Sequence, residues 1–164
     1  MSSASSSSQA STRPAARLVC KGICDGMLPA TATKPAYLVL AVPGTSYKLH
    51  LLFDAAFSAV KGAKLKGRIM ADARRIDKVD GGGRFVEPLA GRPRRVQGTV
   101  VAIDAAAGTI TVECGGGTVP GFENALVLTA KVTDARQKAT DYPVGQLVCF
   151  DCPGDSHWHA MGTV

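Results

Sequence analysis

Aromatic side chains are scarce in this chain, with one tryptophan, three tyrosines and five phenylalanines among 164 residues. A core built from it must therefore be mainly aliphatic. No stretch approaches the roughly 18 consecutive apolar residues that a membrane-spanning helix requires. Long runs of helix formers are missing too, whereas eighteen glycines and nine prolines are spread throughout. That spacing predicts many turns between short strands.

The first sixteen residues, MSSASSSSQASTRPAA, hold seven serines and no strongly apolar residue beyond Met1. They lack the apolar centre of a secretory signal. A Ser-rich, acid-free segment with Arg13 and Arg17 nearby also has the composition of an organelle transit peptide. The simpler reading is adopted: residues 1–16 form a disordered tail, because they cannot bury enough surface to offset ordering entropy. Five cysteines, Cys20, Cys24, Cys114, Cys149 and Cys152, make an odd count. Without an export signal this predicts reduced thiols, packed as small hydrophobes, and a cytoplasmic setting.

Beyond the tail the chain carries a repeat. In the later copy, 95–104 reads as a strand and 105–108 as a turn. Thr109–Cys114 (TITVEC) and Leu126–Thr133 (LVLTAKVT) alternate polar and apolar residues, as half-buried strands do. Asp134–Asp141 follows as a short helix, then strands over Gln146–Asp151 and His157–Met161. The earlier copy has strands at Arg17–Cys24, Ala36–Val42 and Tyr47–Phe53. A helix is expected at Asp54–Val60, a strand at Gly62–Ile69, and Gly81–Gly83 turns Lys78–Val79 into Arg84–Leu89. An Asp-Ala pair, Asp54-Ala55 and Asp134-Ala135, stands at the same place in both copies. Alternation sends Tyr47, Leu49, Leu51 and Phe53 to one face, with Lys48 and His50 on the other. In the later copy Leu126, Leu128, Ala130 and Val132 oppose Val127, Thr129 and Lys131.

Strand, strand, strand, short helix, strand, strand is the order of the OB fold, a five-stranded Greek-key barrel. On Gly98–Asp104, Thr109–Val112 and Val144–Val148 the chain resembles small bacterial OB-fold proteins. The resemblance implies an all-β chain of two tandem five-stranded OB-like barrels, each with a short helix between strands three and four. Their expected bounds are 17–90 and 96–164, joined by a linker at 91–95. The later copy is also similar to small periplasmic copper-binding OB proteins. Those use His, Met and Trp near strands two and three, and 115–125 has none of these, so copper is not expected.

Charge divides unevenly. Residues 17–95 carry fifteen Lys or Arg against six acids, and 96–164 carry three against seven. Basic residues group at Lys61–Arg68, Arg74–Lys78 and Arg92–Arg95. A positive stripe on an OB barrel is the footprint of a nucleic-acid groove. An aromatic on the outer face of strands two and three would stack a base. Tyr37 fits that role, since Leu38, Leu40 and Val42 should face inward. The expected nucleic-acid contacts are Tyr37, Lys48, His50, Lys64, Lys66, Arg68, Arg74 and Arg75. No RNP or cold-shock motif accompanies them. The competing reading is a protein–protein assembly module, or self-association of a basic barrel with an acidic one.

Catalytic and metal chemistry find little support in the sequence. Cys149-x-x-Cys152 with His157-x-His159 has ligand-like residues, but an offset of three puts the two thiols on opposite faces of a strand. Zinc on these four residues is therefore not expected, nor is any other cofactor. Cys114 has no orienting base nearby, and neither glycine run leads into a Lys-Ser or Lys-Thr helix start. The sequence thus points to a non-enzymatic binding protein without membrane contact.

Overall fold

The structure, a computed structural model, describes residues 18–163, and the expected tail at 1–16 lies outside the described residues. These are all-β. Twelve strands run as β1 (Cys20–Leu28), β2 (Tyr37–Ala41), β3 (Lys48–Phe53), β4 (Lys64–Ala73), β5 (Ile76–Lys78), β6 (Phe85–Glu87), β7 (Ala90–Gly91), β8 (Arg95–Asp104), β9 (Thr109–Glu113), β10 (Val127–Val132), β11 (Leu147–Asp151) and β12 (His157–Thr163).

The strands join into one mixed twelve-stranded sheet rather than two separate ones. Its pairings close on themselves twice. The first ring is β1-β2-β3-β12-β4, returning from β4 to β1 through Cys20 opposite Gly67. The second is β8-β9-β10, then the end of β4 with β5, then β11 and back to β8. Each ring contains one parallel pairing, β3 with β12 and β10 with β4. Closure of this kind satisfies backbone donors and acceptors that an edge would leave open.

The strand that finishes each ring comes from the other half of the chain. β12 lies between β3 and β4, while β4 runs on through Arg74 and Arg75 into β5, between β10 and β11. Arg74 N–H donates to Asp151 O across the break at 3.0 Å. These pairings span the expected division at 91–95, and those residues fall at the end of β7 and the start of β8. The interior is likewise shared: one buried cluster takes Leu38, Leu40, Leu49, Leu51, Ile69 and Trp158 together with Val96, Val100, Ile110, Leu128 and Val148.

The expected helices are corrected. Residues 54–60 form turns, and the later copy has only a 3-10 turn at Ala139–Asp141. Segments of seven or eight residues are too short to recover the cost of helix nucleation unaided. A local turn holds the first segment and a tertiary contact the second. Phe57 packs on Phe53 at 5.9 Å between ring centroids, and the Gln137 side chain binds both Ile76 N–H (3.0 Å) and Ile76 O (2.8 Å). The outward placing of Val127 and Thr129 is corrected as well, since both are buried. The glycine-rich 79–84 connection lies over this side of the second ring, where Arg84 pairs with the buried Glu113 and Gln97 donates to Gly83 O. Thr111 and Thr129 satisfy one another at 3.2 Å.

Leu49 and Leu51 are fully buried in β3, and Leu38, Leu40 and Val42 face the core, as alternation requires. All five cysteines are free and buried. Burial pushes the thiols of Cys20 and Cys152 up to about 12, and that of Cys114 higher still. A thiol held neutral in the fold but free to ionise when unfolded adds no penalty below its ordinary value of 9.0. Above it, each unit of separation costs about 1.4 kcal/mol. The protein is expected to resist thiol reagents at neutral pH and to unfold, exposing its thiols, as pH rises from 9 toward 12. Circular dichroism alongside thiol titration would follow both, and rapid labelling of the native fold would contradict it.

Candidate nucleic-acid interface

On the outside of the first ring, the pleat places Tyr37 and Val39 of β2 beside Lys48, His50 and Leu52 of β3. The tyrosine is not an open platform. It is only 8% exposed, its hydroxyl donates to Asp155 Oδ1 at 2.9 Å, and its ring tilts against His50 at 5.7 Å. His50 is the more accessible member of the pair.

This pair opens on a cavity of about 540 Å³ whose wall carries Lys34, Arg92, Arg94 and Asp155. Three elements bring the cations together. Lys34 comes from the loop before β2, while Arg92 and Arg94 follow β7, which pairs with β3 through Lys48–Ala90 and Leu49–Gly91. Arg92 is held by Asp155 at 3.5 Å, so one carboxylate stands against three cations. Burial, with Lys34 adding to it, holds the His50 imidazole below its ordinary 6.5.

His50 is therefore neutral at pH 7. Its folded form loses stability as pH falls below 6.5, because the unfolded chain takes up the proton first. An NMR titration is expected to give His50 a midpoint under 6.5 in the free protein. Bound polyphosphate is expected to raise it; an unmoved midpoint would place the anion elsewhere.

The other anticipated contacts fall into two groups. Lys64, Lys66 and Arg68 alternate along β4 and point outward, with Lys66 opposite Lys21 of β1 and Arg68 opposite His159 of β12. They make no ion pair among the described residues. One strand, β12, separates them from β3, which puts the row about 10 Å sideways from the line of His50. Lys48 lies nearby but is paired with Asp25 at 2.9 Å, and that bond lowers the Asp25 pKa.

Arg74 and Arg75 are set apart from this surface. They occupy the break between β4 and β5, six residues or about 20 Å of extended chain beyond Arg68. Asp151 faces Arg74 at 3.7 Å and Asp77 faces Arg75 at 3.3 Å. The sequence groups them with Lys64–Arg68; the fold does not. Lys34 and Asp155, by contrast, carry no sequence signal, because nothing local ties a loop lysine to an aspartate 121 positions later.

His157 and His159 share the outer face of β12, whereas Cys149 and Cys152 are buried. Among the described residues no helix is long and apolar enough to cross a membrane. Set against protein-family models, curated proteins and solved structures, the chain matches none.

Proposed function

We propose that this is a non-enzymatic binding protein that takes single-stranded or structured nucleic acid on the outer face of the first ring. In this reading each ring is an OB-type barrel whose fifth strand is exchanged with the other. The ligand lies across strands two and three of the first barrel. The observation that carries the reading is the cation set around His50. Lys34, Arg92 and Arg94 surround an aromatic pair, and the unpaired row Lys64-Lys66-Arg68 extends the positive surface beyond β12. Phosphates would meet the cations while a base packs against His50, with Tyr37 holding the imidazole from behind. Arg74 and Arg75, at the break between β4 and β5 and away from this surface, have no direct part in it.

Fluorescence anisotropy with labelled single-stranded DNA and RNA of mixed sequence tests this. Binding is expected at low salt and should weaken steeply as salt rises, since each phosphate neutralised releases counterions. Absence of binding at low salt would refute the proposal. If concentration-dependent oligomers accompanied that failure, the charged surface would belong to an assembly interface.

A further inference from the structure

We propose that Asp54, His157 and His159 form a binding site for a first-row divalent cation of the zinc class, clasping β12 to the end of β3. His157 and His159 are two apart on β12, so the pleat turns both imidazoles outward. The intervening Trp158 is 1% exposed and fixes the strand between them. The rings stack at 4.5 Å with an interplanar angle of 23°.

Asp54, one residue past β3, supplies the carboxylate. Its Oδ1 lies 3.0 Å from His157 Nε2, and its Oδ2 lies 3.9 Å from His159 Nδ1. All three candidate ligand atoms fall within 4.8 Å of one another. Zinc bonds of about 2.0–2.1 Å set tetrahedral ligands roughly 3.3 Å apart. The trio thus already lies near the spacing such a site requires. Two imidazoles with one carboxylate suit zinc, nickel or cobalt, and the accessible surface leaves room for water to complete the shell. Arg68, opposite His159, is a nearby cation that works against the site.

The position also gives such an ion something to do. β12 and β3 are joined in register by only two residue pairs, His157–Leu52 and Trp158–Phe53. An ion held by one residue after β3 and two from β12 would cross-link this short seam. The inference does not rest on the nucleic-acid proposal, and the site lies on β12 between β3 and the Lys64–Arg68 row.

The full chain, freed of metal by chelation, would be titrated with Zn(II) against a chromophoric competitor. One equivalent is expected to bind and to raise the melting temperature. Loss of an outer partner to a metal ligand commonly costs 10–100-fold in affinity. Asp54→Asn, and His157→Gln with His159→Gln, should each cost at least about that much. Circular dichroism would confirm that these substitutions, two at exposed positions and one at the half-buried His157, leave the fold intact. Co(II) in place of zinc should bind without a thiolate charge-transfer band. Lack of saturable binding, equal affinity in the double histidine variant, or a thiolate band would each overturn the proposal.

Discussion

A chain shortened to end at Ser156 is expected to lose its cooperative thermal transition. β12 contributes Trp158, the largest fully buried side chain, and it alone fills the place between β3 and β4. Removing a buried tryptophan side chain costs about 3–5 kcal/mol. A small domain has only about 5–15 kcal/mol in total. Truncation also strips backbone partners from both neighbouring strands, so the loss should exceed that of Trp158→Ala.

A subtler change should have a comparable effect. A Cβ added at Gly67 would sit 2.7 Å from Trp158 Cζ2 and strike the His159 carbonyl, both parts of the strand it must accommodate. Gly67→Val is thus expected to unseat β12 without shortening the chain. A synthetic peptide covering 153–164, added to the truncated protein, should restore part of the far-ultraviolet signal. Circular dichroism melts would decide the matter. A truncated protein melting within a few degrees of the intact one would mean that β12 is dispensable to the ring.

The second large effect concerns charge. Reversal of Lys64, Lys66 and Arg68 to Glu is expected to abolish measurable nucleic-acid binding at physiological salt. Three lost phosphate contacts should flatten the slope of log affinity against log salt by about 2 for a single strand. Stability should hardly change, because these side chains point outward and no described residue pairs with them. Arg74→Glu with Arg75→Glu provides the contrast. It leaves the β4 row intact and disturbs Asp151 and Asp77 instead, so it should cost more in melting temperature than in binding. If this pair proved the more damaging to binding, the interface would have to be moved to the second ring.

Local pattern and the finished structure agree where one strand's alternation decides the outcome. Leu49 and Leu51 against Lys48 can be read from a period of two, whereas in β2 Tyr37 and Val39 are buried alongside Leu38 and Leu40. The burial of every cysteine also agrees with the general behaviour of reduced thiols as small hydrophobes. Global pairing is different. The sequence pattern gives both halves the same expected order of strands, so nothing in the residues says whether β5 or β12 completes the first ring. Local pattern allows each to do either. The expected helix at 134–141 failed for a related reason, because the Gln137 side chain is bound to Ile76 on a distant strand, while Phe57 packs locally on Phe53.

At the candidate site, the face shared by His157 and His159 was legible, and the nearness of Asp54 was not. That proximity exists only once β12 lies beside β3, 103 residues away along the chain. The same holds for Arg92 and Arg94, which read as linker residues until β7 carries them to the edge of β3.

The exchange of strands sets a timetable for synthesis. β12 emerges from the ribosome more than eighty residues after β4, the neighbour it must join. Until then β3 and β4 wait with open edges, able to capture each other, a stray strand or another nascent chain. β5, made immediately after β4, must meanwhile be kept from filling the gap. Folding of this chain should therefore be slow for its size and prone to aggregation while translation is under way.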